Sequence, residues 1–127
     1  ADVIGMDFDT AVRFASGFGG GMGRLREVCG TFSGTVIVVN ALYGYSDPKN
    51  VQSKAELYSC IQELAAQFRR DNGSIICKEL LGLSRPEGSP IPEARTDEYY
   101  KKRPCPELCR YSANMLEEYI REHPPVK

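Results

Sequence analysis

Apolar residues recur every three or four positions along two long stretches of the chain, which is the pattern of amphipathic helices. The first stretch follows the turn Ser46-Asp47-Pro48 and ends at the stop signal Asn72-Gly73. Its predicted inward positions are Val51, Ala55, Tyr58, Ile61, Leu64, Ala65 and Phe68. The second stretch starts at Pro106, ends before Pro124-Pro125 and has as its inward face Leu108, Met115, Leu116, Tyr119 and Ile120. Both stretches are predicted helices.

The first third of the chain has a different character. Residues 1–45 hold nine of the twelve glycines but only seven of the 33 charged residues. A short helix capped by Asp9 or Thr10 is predicted to stop at Gly17, and a glycine loop follows over residues 18–23. Low charge with many glycines indicates close approach of backbones, or of a backbone and a ligand. Any chemistry is therefore expected to involve this region.

The element from about Glu27 to Tyr43 is ambiguous by pattern alone. Its β-branched centre, residues 35–39, favours a strand. The glycines Gly30 and Gly34, four residues apart, instead suit a helix that packs closely on a neighbour or on a second copy of the chain. Both interpretations stay open at this point.

Length and composition predict one soluble globular domain over residues 1–127, in which the proline-rich residues 83–104 form a loop or insertion. The longest apolar run, Val36–Val39, is far too short for a transmembrane helix. A net charge of -1 argues against nucleic-acid binding. No secretion signal opens the sequence, so we expect a cytoplasmic protein without membrane or nucleic-acid partners.

Five cysteines are the unusual feature of the composition: Cys29, Cys60, Cys77, Cys105 and Cys109. An odd number without a secretion signal argues against a purely structural disulfide framework and favours metal-binding, redox-active or simply buried thiols. The single histidine, His123, lies near the C-terminus, where a solvated residue at a helix end is the simplest interpretation. It leaves little scope for a catalytic triad.

Two cysteines are predicted to lie at helix starts. Pro106 suits the first helical position, which makes Cys105 the N-cap residue. Ser74, as the cap of a short helix ending at Gly82, makes Cys77 the third helical residue. The positive end of a helix dipole stabilises a thiolate over a thiol, so we expect lowered pKa values for Cys77 and Cys105.

The glycine loop adds a candidate binding site beside Cys29. Backbone N–H groups of such a loop can line an anion- or cofactor-binding concavity close to the Cys29 sulfur. The candidate residues are Gly19, Gly20, Gly21, Gly23 and Gly30. Cys109 lies one helical turn after Cys105, so the candidate metal ligands are Cys29, Cys77, Cys105 and Cys109.

Each of these features also has a plain structural interpretation. Cys60, in the middle of a helix, is best explained as a buried small hydrophobe, and inert packing is the favoured interpretation of Cys109 as well. Any of the other cysteines taken singly fits packing better than reactivity. The glycine loop taken singly fits a tight crossing of backbones as well as it fits a binding site.

Taken together, the motifs resemble the C_GCAxxG_C_C family, whose redox activity is inferred from its cysteines. The resemblance runs from about Phe8 to Tyr119. It is carried by residues 15–23, by Val28-Cys29-Gly30 with Gly34, by residues 73–82, and by Cys105-Pro106-Glu107-Leu108. It implies an all-α fold, a small bundle of about five helices with the glycine loop between the first two. It therefore decides residues 35–39 in favour of a helix.

The resemblance also assigns cysteine positions. Cys29, Cys77 and Cys105 match the family's second, third and fourth cysteines, and Thr31 stands where the motif has alanine. The family's first cysteine lies on a preceding helix, and this chain has no cysteine before Cys29. Either that helix is missing from this product or this member lacks it. Cys60 or Cys109 could substitute only if the fold brings it near.

Three functions are weighed on these grounds. The leading hypothesis is an oxidoreductase-type thiol protein that gathers Cys29, Cys77 and Cys105 at the glycine loop for disulfide or electron-transfer chemistry with an unidentified redox partner. The second is an iron–sulfur or zinc protein using the same thiolates. The third is a non-enzymatic homodimer through Gly30 and Gly34. Related domains occur in split-Soret cytochromes, but the chain lacks the Cys-x-x-Cys-His signature of covalent haem.

Overall fold

The computed structural model describes residues 1–82, 89–92, 94–97 and 103–125. The fold is all-α, as expected, and no strand occurs among the described residues. The helices used below are α1 (Phe8–Ala15), α2 (Gly30–Tyr43), α3 (Val51–Asn72), α4 (Cys77–Leu80) and α5 (Cys105–Glu122). Single 3-10 turns span Asp2–Ile4 and Ser16–Phe18. Of the predicted loop over residues 83–104, residues 83–88, 93 and 98–102 lie outside the described residues.

Helix α2 settles the ambiguity of the β-branched stretch. Phe32, Thr35 and Val39 are buried along one side of the helix, which packs against both α3 and α5. The Thr35 hydroxyl donates a hydrogen bond to the Thr31 carbonyl at 3.0 Å, so this buried polar group is satisfied within the helix. Burial between two helices outweighs the modest β preference of valine and isoleucine.

The core is held by aromatic side chains from three helices. Phe68 of α3 is fully buried, and its ring meets Phe32 of α2 edge-on at a centroid distance of 5.7 Å. Tyr111 of α5 packs against the same ring at 5.6 Å, again edge-on. Such aromatic pairs stabilise beyond the apolar area they bury. Phe68 therefore joins α2, α3 and α5 at one point.

The limits predicted for α3 are confirmed. The Asn50 side chain caps its start by accepting a hydrogen bond from the Ser53 N–H at 3.0 Å, and Gly73 ends it with φ 94°. The predicted inward face is only partly correct, because Val51, Ala55 and Tyr58 are exposed. The buried residues of this helix are Leu57, Cys60, Leu64, Ala65 and Phe68. Burial begins only at Leu57, so the first turn extends beyond the core.

The start of α1 also differs from the prediction. Asp7, rather than Asp9 or Thr10, is the N-cap residue, and its carboxylate accepts a hydrogen bond from the Thr10 N–H at 2.8 Å. That hydrogen bond lowers the pKa of Asp7. Helix α1 buries none of its residues, and Phe8 and Phe14 are exposed.

Among the described residues, no helix combines the length and apolar character needed to span a bilayer.

The cysteine pocket, a candidate redox site

The glycine loop closes on itself through its own backbone. Gly20 and Gly21 have φ values of 66° and 69° inside the helical turn Gly19–Met22. The N–H groups of Arg26 and Glu27 donate to the carbonyls of Gly20 and Gly21 at 3.1 and 2.9 Å. The predicted loop is therefore a left-handed turn, a conformation that glycine adopts without steric cost.

Strain continues past the glycines. Met22, Arg24 and Arg26 have positive φ values of 71°, 64° and 60°. Each such conformation costs a non-glycine residue roughly 1–2 kcal/mol. Strained backbone of this kind persists only where the surrounding structure enforces it, and it is concentrated at functional sites.

The segment after the loop pairs with the segment that leads into α4. Cys29 N–H donates to the Ile75 carbonyl at 2.7 Å, and Cys77 N–H donates to the Glu27 carbonyl at 2.6 Å. Val28 and Ile76 form an isolated antiparallel bridge between them. These contacts place Cys29 and Cys77 on adjacent backbone segments, although 48 residues separate them in the sequence.

Two glycines let the loop approach the cysteines. A Cβ atom at Gly21 would lie 2.5 Å from the Cβ of Cys77, and one at Gly30 would lie 2.8 Å from the Phe18 carbonyl oxygen. A Cβ atom at Gly34 would meet no described atom within 4 Å outside its own helix. Of the two positions expected to pack closely, Gly30 alone does so against the described part of the chain.

Four of the five cysteines line one pocket of about 450 Å³, here called the cysteine pocket. Its lining includes Cys29, Cys77, Cys105 and Cys109. It also includes four of the five glycines predicted to bind a cofactor: Gly19, Gly20, Gly21 and Gly30. The fifth, Gly23, is not among the lining residues, and its N–H donates to the Gly17 carbonyl at 2.8 Å.

The three cysteines matched to the family motif all lie at or next to helix starts. Cys29 is the N-cap residue of α2, and Cys77 and Cys105 are the first residues of α4 and α5. The predicted positions of the last two are thus wrong by one or two residues. Ser74 accepts a hydrogen bond from Ile76 N–H at 2.9 Å and so forms a turn before α4 rather than its N-cap.

Burial sets the acidity of the two sulfurs on α5. It raises the pKa of Cys105, and the neighbouring Cys29 sulfur raises it further, whereas Arg103 acts in the opposite direction. Cys109 is an exposed residue, yet partial loss of hydration at the pocket wall raises its pKa as well, and the neighbouring Cys29 sulfur adds to this. The expectation that a helix start lowers the pKa of Cys105 is therefore wrong, because loss of hydration opposes the charged thiolate.

Arginines are the part of the site that sequence reasoning missed. Arg26 is only 3% exposed, and its Nη1 donates a hydrogen bond to the Cys77 sulfur at 3.6 Å. Arg95 and Arg103 line the same pocket. A buried guanidinium is costly unless it is paired or hydrogen-bonded. The signal available in the sequence was Arg26 itself. It follows closely after the glycine loop, in a part of the chain that contains few charged residues.

The metal hypothesis has no geometric support in the described part of the chain. Within it, no group of three or more histidine, cysteine, aspartate or glutamate side chains is arranged to hold a metal ion. All five cysteines are free thiols in this structure. The four sulfurs thus share a pocket without forming a ligand cluster, and we derive no chemistry through zinc or an iron–sulfur cluster.

The fifth cysteine lies elsewhere. Cys60 is buried, as predicted, and lines a second pocket of about 420 Å³ with Tyr43, Tyr119, Glu56 and His123, here called the tyrosine pocket. Burial raises the pKa of Cys60 and that of Tyr119. His123 is exposed at the end of α5, as predicted, and stacks on Tyr119. Of the two cysteines considered as substitutes for the family's first, Cys109 reaches the cysteine pocket and Cys60 does not.

Comparison with known protein families identifies the chain. The model of the family described as "Putative redox-active protein (C_GCAxxG_C_C)" matches residues 1–119, so the chain belongs to that family. This confirms the resemblance drawn from the glycine loop and the cysteine motifs. Neither the comparison with curated proteins nor that with solved structures found a match.

Proposed function

We propose that this protein carries out thiol–disulfide exchange in the cysteine pocket, with Cys77 as the attacking sulfur. The observation that supports this role is the guanidinium of Arg26, which donates to the Cys77 sulfur at 3.6 Å. A charged donor stabilises negative charge on a sulfur that attacks or leaves. This hydrogen bond pairs a pocket cysteine with a charged side chain, whereas the Cys29 sulfur lies 3.2 Å from the neutral Thr31 hydroxyl.

The proposed reaction takes two steps. The Cys77 thiol loses its proton, and its sulfur attacks a substrate disulfide, forming a mixed disulfide and releasing the first substrate thiol. A second protein thiol loses its proton and attacks Cys77, which releases the second substrate thiol and leaves a protein disulfide. Two protein thiols are thus oxidised while one substrate disulfide is reduced to two thiols.

Cys29 and Cys105 are the candidates for the resolving sulfur. Cys29 lies on the backbone segment paired with that of Cys77, and Cys105 is close enough to both Cys29 and Cys77 for their charges to interact. Both line the pocket. A disulfide requires Cα atoms within about 7 Å, so the pair that forms reports which sulfur can reach Cys77.

The test compares two serine variants in protein prepared without oxygen. Cys77→Ser removes the attacking sulfur, and Cys60→Ser removes an equally buried cysteine, each residue being 7% exposed. Metal, sulfide and free-thiol contents are measured first. The reduced proteins are then treated with hydroxyethyl disulfide, and their products are mapped by mass spectrometry.

We expect the parent protein and Cys60→Ser to gain an internal disulfide containing Cys77, and Cys77→Ser to gain none within the pocket. Exchange no faster than that of free cysteine in the parent protein would contradict the proposal. So would an unchanged rate in Cys77→Ser. Stoichiometric metal or sulfide would revive the cofactor hypothesis instead.

Two further expectations are tested by other measurements. A cytoplasmic location would be checked by fractionating the source cells. Homodimerisation at the α2 surface around Gly34, where a Cβ atom would meet none of the described residues outside the helix, would be checked by the dependence of molecular mass on protein concentration.

A further inference from the structure

The described lining of the cysteine pocket is positively charged, whereas the whole protein is nearly neutral. The chain has 17 acidic and 16 basic residues, yet three arginines line this pocket, and no aspartate or glutamate belongs to its described lining. The arginines come from three places: Arg26 beyond the glycine loop, Arg95, and Arg103 just before α5. A cleft lined by one sign of charge attracts ligands of the opposite sign.

Arg26 is held in place by the fold. Its guanidinium nitrogen would lie 3.6 Å from a Cβ atom at Gly20, so it sits against the glycine loop, and its backbone has the strained φ of 60°. Its own N–H donates to the Gly20 carbonyl, and its carbonyl accepts from Lys78 N–H at 3.2 Å. The loop therefore fixes a buried positive charge beside the Cys77 sulfur before any ligand arrives.

The remaining lining suits a small molecule with a short apolar middle. The pocket volume of about 450 Å³ falls within the range of small-molecule sites. Phe18, Leu81 and Pro106 supply apolar surface, and glycines expose backbone close to the sulfurs. The planar fork of arginine matches the geometry of a carboxylate, which it binds through a pair of parallel hydrogen bonds.

We infer that the substrate of the cysteine pocket is a small anionic disulfide carrying a carboxylate on each arm, with the arginines binding the carboxylates and Cys77 attacking the disulfide. This inference rests on the proposed exchange reaction and names its substrate class. The stoichiometry of the exchange reaction is unchanged: the anionic disulfide is reduced to two anionic thiols as two protein thiols form a disulfide.

Three size-matched disulfides separate charge from reactivity. Dithiodipropionate is a dianion, hydroxyethyl disulfide is neutral and cystamine is a dication. Each rate with the reduced protein is divided by the rate of the same disulfide with free cysteine under the same conditions. We expect normalised rates in the order dianion, neutral, dication, with about tenfold or more between the extremes at low ionic strength. High salt should compress this order.

Arginine variants locate the charge effect. Arg103→Gln and Arg26→Gln are expected to reduce the differences among the normalised rates of the three disulfides. Arg103→Gln keeps the test available if Arg26→Gln does not fold. Arg121→Gln is the matched control, because Arg121 is exposed at the far end of α5 and pairs with Glu118. Circular dichroism verifies that each variant keeps its helices. Titration calorimetry with suberate, a dianion of equal length without the disulfide, measures binding apart from exchange.

The outcomes distinguish the two proposals. Normalised rates that do not depend on charge would overturn the substrate class and leave the exchange reaction standing. No exchange with any of the three disulfides would overturn both, even if suberate binds. The assignment to these arginines would also be overturned if the order of normalised rates stays unchanged in both pocket variants, or if it disappears in Arg121→Gln.

Discussion

The two pockets hold cysteines that are equally buried yet chemically unlike. Cys77 in the cysteine pocket and Cys60 in the tyrosine pocket are each 7% exposed. Arg26 donates a charged hydrogen bond to Cys77, whereas Cys60 has the tyrosine hydroxyl of Tyr119 and the carboxylate of Glu63 near it. Loss of hydration raises the pKa of Cys60, and the hydrogen bond with the Tyr119 hydroxyl acts in the opposite direction. Equal burial therefore leaves the two sulfurs with different neighbours, a guanidinium at Cys77 and a phenol with a carboxylate at Cys60.

The two pockets also differ in the regularity of the backbone that surrounds them. The tyrosine pocket lies largely between residues of regular helices, namely Leu42 and Tyr43 of α2, Leu57 of α3 and Tyr119 of α5. The cysteine pocket is built from a left-handed glycine turn and from helix starts. Regular helices are stabilised by packing, whereas the left-handed turn also needs glycines, which adopt a positive φ without steric cost.

The largest expected effect concerns the aromatic core shared by the three helices. Phe68→Ala removes the ring between Phe32 and Tyr111, and should lower the free energy of unfolding by about 3–5 kcal/mol. Phe14→Ala is the control, because Phe14 is 64% exposed, and should change it by no more than about 0.5 kcal/mol. Urea unfolding followed by circular dichroism measures both. Equal losses in the two variants would show that Phe68 does not join the helices.

The second effect breaks the cysteine pocket through its backbone. Gly21→Ala places a methyl group 2.5 Å from the Cys77 Cβ at a φ of 69°. Strain and overpacking together should cost about 2–5 kcal/mol. Gly23→Ala has φ 56° but meets nothing within 4 Å, so strain alone should cost it about 1–2 kcal/mol. Urea midpoints that coincide for these two variants would contradict the close approach of Gly21 to Cys77.

The third effect compares the pockets by reagent charge. Iodoacetate is an anion and iodoacetamide is a neutral reagent of similar size, so their rate ratio reports local charge. We expect the iodoacetate-to-iodoacetamide ratio to be about tenfold higher at Cys77 and Cys105 than at Cys60. Mass spectrometry of digested protein gives the ratio for each cysteine. Its control is the unfolded protein, in which all cysteines should show one ratio.

The smallest effect isolates one arginine. Arg103 lowers the pKa of Cys105, so Arg103→Gln should raise that pKa further and leave less thiolate at neutral pH. Alkylation of Cys105 by iodoacetamide should therefore slow by about two- to fivefold, as suits a partly exposed pair. The pH at which its rate rises should move upward. A faster reaction, or an equal slowing in Arg121→Gln, would contradict the assignment.

Prediction from sequence worked best where local signals agree with burial. The turn Ser46-Asp47-Pro48, the stop signal Asn72-Gly73 and the apolar spacing between them located α3 correctly, because turn signals and periodicity are properties of neighbouring residues. It failed by one or two residues at Cys77 and Cys105. At Cys77, pairing with residues 26–29 and the hydrogen bond from Ile76 to Ser74 decide where the chain turns into helix, and both depend on contacts or geometry that the local pattern does not specify.

The amino-acid sequence by itself determined the family and the candidate cysteines, since these depend on motif order and spacing, and the resemblance to the family implied the all-α class. Only the tertiary structure decided that Cys109 joins Cys29, Cys77 and Cys105 while Cys60 lies in another pocket. It alone placed Arg26 at the Cys77 sulfur, across 51 residues of sequence. The physical reason is that burial and electrostatic interaction depend on distance in space, which sequence separation does not specify.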